Sequence, residues 1–464
     1  MKKSNLWSLR LGFSGKQADE IEKLGLEKFL QRSYEFRFDK ELPAFLKEEP
    51  KTLAELKELN QSIKNADPET KKNILKKGAD SRIELKKWWV EKMRTNEFPL
   101  RESMVCFWHN HFVATSQKVN VNFWIYEYDM ILRENAFGSF KELTKQVLKS
   151  NAMVKYLDNG DNRKNKINEN LSRELLELFT IGIGNYTEED IKNGAKALAG
   201  LNTGDGGAVY RKAAEDNGEK TYFGKTGNWK SDDLVDIIFE QKNIPYLLTR
   251  KILKWFIYDN PPENLVVYYG DYFRKVNFEI KPLLTKIFTE EYKKENSGSK
   301  IKNPLIYILQ LIDELQIANV DDVMIINFLK QQGMDLYNQK NVKGWDGGNS
   351  WLTSQIYLQR NNLSDSLCSG KSLTKKRINS MKEGEKPKFD YEKFEVKIDF
   401  DSSGNNKTVI ADLTDRLIFK VNDSMQKDME SLLKYDFNPK EQHANFAVIR
   451  LFNYITKLPE YQLI

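Results

Sequence analysis

The densest run of chemically capable side chains occupies residues 168–179, where the sequence reads Asn-Glu-Asn-Leu-Ser-Arg-Glu-Leu-Leu-Glu-Leu-Phe. On a helix advancing about 100° per residue, Asn170, Arg173, Glu174 and Glu177 share one polar stripe roughly 100° wide. Leu171, Leu175, Leu176, Leu178 and Phe179 cover much of the remainder. A solvated helix normally carries a broad polar face, so a narrow charged stripe predicts carboxylates turned into a bundle or a cleft. There they must be paired, hydrogen-bonded or bound to a cation. Two readings follow. Glu174 and Glu177 serve a catalytic or metal site together with Arg173 and Asn170, or the group is an internal brace. Arg173 can reach Glu177 at i,i+4 and Asn170 can reach Glu174. Arg133 and His111 are the candidates to complete the shell from other helices.

The second feature is Phe107-Trp108-His109-Asn110-His111-Phe112. On a helix His111 shares a face with Met104, Phe107 and Trp108, and His109 lies about 160° away from it, so the two imidazoles cannot share an ion. On an extended segment they could. The helical reading singles out His111, as a metal ligand or as a core imidazole donating to a carbonyl. Third, Glu215-Asp216-Asn217-Gly218 marks a turn, where Asp216 is a candidate ligand for a hard divalent cation. Gly204-Asp205-Gly206-Gly207 has neither the spacing nor the preceding strand of a dinucleotide loop. No serine or cysteine sits in a nucleophile motif.

The elements that must position these groups are mostly helical. Apolar periodicity predicts helices over residues 16–34, 52–65, 68–77, 124–132, 140–148, 168–180 and 188–198, and one that Pro99 begins and that runs through His111. Seven glycines fall within residues 200–227. Short strands near 209–210 and 220–223 predict a hairpin there. Residues 371–388, centred on Lys375-Lys376-Arg377, read as an exposed linker, and residues 389–400 alternate weakly, as a strand does.

The whole chain has 464 residues, 40% hydrophobic and 12% aromatic, enough for a packed core. The excess of 73 basic over 67 acidic residues leaves only +6, which does not read as nucleic-acid binding. Two cysteines, Cys106 and Cys368, cannot build a disulfide framework. Ser8 and Arg10 interrupt the apolar run that a signal peptide requires, and no stretch approaches the roughly 20 apolar residues of a membrane span. A cytoplasmic protein is expected.

The sequence also resembles a bacterial family known as domain of unknown function 1800. The matching pieces are Arg10-Leu11-Gly12-Phe13, Trp88-Trp89, Pro99-Leu100-Arg101-Glu102, residues 107–112, Leu132-Arg133, Gly138-Ser139-Phe140 and Tyr156-Leu157-Asp158. The signature in residues 168–182 follows, then Tyr186-Thr187-Glu188-Glu189-Asp190, Asn341-Val342-Lys343-Gly344-Trp345, Trp351-Leu352 and Pro459-Glu460-Tyr461-Gln462. The resemblance implies a mainly helical protein without an assigned reaction. Its members are often encoded beside a second family that resembles sulfatases and alkaline phosphatases. Those neighbours commonly carry twin-arginine export signals, so joint export is the alternative location. The chain departs from the pattern at Glu215, where the family's flap has histidine, at Ala199-Gly200-Leu201 in place of Thr-Gly-Trp, and at Gln339-Lys340 in place of a double proline. Loss of the flap histidine weakens a metal site there.

The sequence therefore predicts a mainly α fold, one large helical-bundle-like domain over residues 1–464. It divides into helical residues 1–198, a glycine-rich β-flap at 199–230, helical residues 231–365, an exposed linker at 366–400 and C-terminal helices at 401–464. The functional expectation is a non-catalytic partner of a sulfatase- or phosphatase-like protein, since no nucleophile or complete ligand set is visible. The alternative is a metal-assisted hydrolase that uses a divalent ion held by His111, Glu174, Glu177 and Asp216.

Overall fold

A computed structural model describes residues 1–377, 389–434, 437–441 and 443–464 of the chain. It is mainly α-helical, and its described strands form three two-stranded antiparallel sheets. One hydrophobic core runs from Leu6 near the start to Ile464 at the end. Among the described residues, no helix is long and apolar enough to cross a membrane.

The centre of the fold is the helix Leu100–His111, almost every residue of which is buried. Pro99 precedes it and abuts Gly12, where a Cβ would stand 2.6 Å from the proline ring. This close approach locks the N-terminal helix Lys3–Leu11 against the centre. Arg10 at the end of that helix is buried, and it donates to Asn296 Oδ1 at 2.6 Å and to the Asn296 carbonyl at 2.8 Å. The helix Asn122–Glu134 crosses the central one, and Trp108 Nε1 donates to the Ala136 carbonyl just beyond it at 3.2 Å.

Three elements differ from the periodicity. The helix expected over 16–34 is two, Ala18–Leu24 and Leu26–Glu35, because Gly25 adopts φ +76°, which an α-helix cannot continue through. The helix expected to end near 77 continues as Pro68–Thr95, since the solvent side of Gly78 is open and the apolar side resumes at Leu85, Trp89 and Met93. The signature helix is α-helical only over Asn170–Glu174 and widens into a π-helix over Leu175–Thr180.

The glycine-rich region holds two hairpins rather than one. Leu201–Asn202 pairs with Val209–Tyr210, and Lys220–Tyr222 pairs with Lys225–Gly227. The second closes through Phe223 and Gly224, at φ +46° and +76°, the backbone that a tight two-residue turn needs to match strand twist. Further on, Lys371–Arg377 pairs with Phe389–Lys393, so strands bound the stretch that composition reads as linker. Residues 378–388, the middle of that stretch, lie outside the described residues.

Candidate functional site

A fully buried ionic cluster is a brace between helices. Arg133 Nε donates to Asp129 Oδ2 at 3.0 Å, one helical turn before it, and a second guanidinium nitrogen pairs with Glu102 on the central helix. Asp129 Oδ1 also meets His109 Nε2 and the Tyr337 hydroxyl, each at 3.1 Å. The Arg133, Asp129, Glu102 and His109 side chains are all 0% exposed. Trp88 stacks over the guanidinium and Trp89 packs on the His109 ring 4.9 Å away. Burial alone would raise the Asp129 carboxyl, but Arg133 and His109 hold it below its usual range. Buried on every side, this cluster is positioned to hold the fold and not to meet a ligand.

The signature stripe is placed differently. Arg173 lies 3.1 Å from Glu169, 3.4 Å from Glu177 and 3.0 Å from Glu188, with these four side chains 34%, 33%, 21% and 67% exposed. Neither Arg133 nor His111 completes its shell, contrary to the expectation. Arg133 is taken by Asp129 and Glu102, and His111 by backbone and lysine. Asn170 is exposed, and its backbone N–H donates to Asn168 Oδ1. Glu174 is half-buried. Burial first, and Glu177 second, push its carboxyl up, with Arg173 and Lys343 opposing. The stripe is a partly solvated network, so Glu177→Ala is expected to cost no more than about 1 kcal/mol in a denaturation titration. A loss of several kcal/mol would show that the stripe is a buried brace after all. Asp216 caps its own turn, accepting from Gly218 N at 2.9 Å beside Lys220 Nζ at 3.2 Å. Among the described residues no three His, Cys, Asp or Glu side chains converge on a metal position.

What the signature helix does position is its C-terminal end. The carbonyls of its last turn lack intrahelical partners, and this end of the helix carries partial negative charge. Phe179 O meets His111 Nε2 at 3.1 Å, and Leu178 O accepts from Lys251 Nζ at 2.8 Å. A carbonyl only accepts, so His111 carries its proton on Nε2 and offers the bare Nδ1 to Lys251 Nζ, 3.2 Å away. Burial, and then the charge of Lys251, hold His111 neutral against the pull of the Phe179 hydrogen bond. Burial draws the Lys251 ammonium down to about 8.

These two residues line a cavity of about 240 Å³. Helix Ile244–Phe256 presents Lys251, Lys254 and Trp255 at i, i+3 and i+4, on one face. Opposite stand Lys343 and Trp345, on a loop pinned where Asn110 Oδ1 accepts from Trp345 N at 2.6 Å. Trp255 and Trp345 stack with centroids 6.4 Å apart, and Trp351 adds a third indole. Lys300 completes the lining. It donates to Lys254 O at 2.9 Å and sits 3.5 Å from Asp259, and burial draws it down to about 8 against that carboxylate. Four lysines and three tryptophans thus face one another, with exposed Asp346 the single acidic group in the lining.

Of the residues singled out in the sequence, His111 lines this cavity, while Asn170, Arg173, Glu174, Glu177 and Asp216 do not. Glu174 is within electrostatic reach of one lining residue, Lys343. Lys251, Lys254, Trp255 and Lys300 escaped notice. The signal was present in Lys-Ile-Leu-Lys-Trp at 251–255, two cations and an indole on one face of a helix.

A family model described as Protein of unknown function (DUF1800) matches residues 6–463. The chain belongs to that family. No curated protein and no solved structure matches it.

Proposed function

We propose that this family member is a binding protein for anionic, ring-bearing ligands and serves as a non-catalytic accessory to an enzyme of the sulfatase or phosphatase type. The observation that carries this reading is the cavity in which four lysines stand among three tryptophans. Ammonium groups suit sulfate or phosphate oxygens as point charges, and indole faces suit the apolar face of a ring. Sulfate and phosphate esters are also what an enzyme of that type handles, which joins the pocket to the partner that the family resemblance implies. In this reading the protein shares the compartment of its partner.

Tryptophan fluorescence tests the pocket directly, since three indoles line it. Titration with a sulfated or phosphorylated monosaccharide is expected to give a saturable change that the neutral sugar does not. Lys254 and Lys343 are exposed, so alanine there should leave the fold intact. Each lost charge-assisted contact should weaken binding roughly tenfold or more. Equal response to the neutral sugar, or none to the anions, overturns the reading.

The hydrolytic alternative rests on one observation, the half-buried Glu174, whose carboxyl burial and Glu177 push up against the opposing charges of Arg173 and Lys343. It requires release of sulfate or phosphate from the bound ester, and that release should vanish in Glu174→Gln.

A further inference from the structure

We infer that Lys251 is a reactive amine that captures the carbonyl group of an anionic ligand as an imine, with His111 Nδ1 relaying the proton; this rests on the anion-binding reading of the cavity. Three features of the geometry support it. Among the described residues no carboxylate pairs with Lys251; its recorded partners are the Leu178 carbonyl and His111 Nδ1. The half-buried Lys251 and the buried His111 both line the cavity. Most important, the Phe179 carbonyl fixes the His111 tautomer, so that an imidazole lone pair and not an N–H faces the ammonium. A lysine held only for structure needs no such acceptor, because a second carbonyl would satisfy it equally.

The step balances without a further reactant. The ammonium passes one proton to His111 Nδ1 and becomes an amine. Its lone pair forms a C–N bond to the carbonyl carbon as the C=O π bond opens onto oxygen. A second nitrogen proton moves to that oxygen, giving a neutral carbinolamine. The imidazolium then protonates the hydroxyl, the C–O bond breaks, and water leaves an iminium on Lys251 with His111 neutral again. Ammonium plus carbonyl thus become iminium plus water, with charge conserved. Burial disfavours the charged imidazole first, and the Lys251 charge second; while the proton rests on the imidazole the amine beside it is uncharged, so the second of these is absent and the Phe179 hydrogen bond favours the charged ring. The lowered proton affinity of Lys251 keeps a usable share of the amine free near neutral pH. Capture of this kind is reversible and needs no turnover, which accords with an accessory role.

The test uses the full chain with pyridoxal phosphate, which joins an aldehyde, an aromatic ring and a phosphate, followed by borohydride reduction and peptide mapping. At neutral pH, Lys251 is expected to be labelled at least tenfold faster than the exposed lysines, and a protonated-imine absorption should appear before reduction. Lys251→Arg should abolish that label while retaining binding of pyridoxine phosphate, which lacks the aldehyde. His111→Gln should slow labelling at Lys251 by tenfold or more. If pyridoxine phosphate binds but label spreads over surface lysines according to their exposure, the imine is refuted and anion binding stands. If neither compound binds, both readings fall. Wild-type mapping alone decides the point even where a variant fails to fold.

Discussion

Arg133→Met is expected to lower the stability of the protein by at least about 3–5 kcal/mol, the range for removing one partner from a buried ion pair. The substitution keeps most of the side-chain volume and deletes the charge that Glu102 and Asp129 share. Two carboxylates would then face each other in the core with no cation between them. Against a total stability of about 5–15 kcal/mol, that loss removes roughly a fifth of it or more. The concerted replacement Arg133→Met, Glu102→Gln and Asp129→Asn removes the net charge and should recover much of the deficit. Urea denaturation of the three proteins separates the cases. A loss below about 1 kcal/mol in the single variant would mean that the cluster contributes nothing. The pH dependence follows from Asp129, whose folded carboxyl lies below its ordinary value. Its contribution is complete above the unfolded aspartate pKa of about 4 and disappears as pH falls from there through the lower folded value. Wild-type stability should therefore weaken on acidification below that point.

The second large effect is expected at Gly344, where φ is +92° and a Cβ would stand 2.6 Å from the Asn110 carbonyl oxygen. Gly344→Ala incurs about 1–3 kcal/mol of backbone strain. It must also drive the loop off Asn110, breaking the contact that holds Trp345 N. The cavity would lose its indole wall, so anion binding should fall by more than tenfold along with stability. Gly333→Ala is the matched control. Its φ is +76°, no atom lies within 4 Å of where its Cβ would stand, and it does not line the cavity. That variant should show the strain and keep binding. Thermal melts and fluorescence titrations of the pair check both parts. Equal binding in the two would show that close approach to Asn110 does not set the loop.

His111 was legible because its reasoning was local. Helical phase put it with Met104, Phe107 and Trp108, and the ring does stack on Phe107, 6.0 Å away at 8°. The core-imidazole reading, donation to a carbonyl, also matches the bond to Phe179. Its second partner was invisible, since Lys251 lies 140 residues further on and nothing in the sequence links them. The stripe failed for a different reason. Spacing groups Arg173 with Glu177 correctly, yet it cannot tell which side of a helix meets solvent when both neighbouring faces are apolar. Helical phase at 100° per residue also holds only to Glu174, beyond which the chain widens into a π-helix. Glu102 appears only as a match to a family pattern, and Arg133 also as a candidate to complete the stripe, where the structure does not place it. Arg101 and Ser103 flank Glu102, and Glu134 follows Arg133, so nothing local in the sequence marks the two as a buried pair.

The wide turn at Leu175–Thr180 also restricts how the sequence can change in length. A π turn carries a residue more than the α turn it replaces. Deleting any one residue from 175–180 would let the ladder relax to α spacing and swing the terminal carbonyls by about 100° around the axis. Leu178 O and Phe179 O would then point away from Lys251 and His111, and both the tautomer and the lysine would lose their anchor. Side chains here can be exchanged for others of similar bulk, but an alignment gap cannot be absorbed. A sequence that lacks one residue in this stretch would fold its helix and lose its pocket.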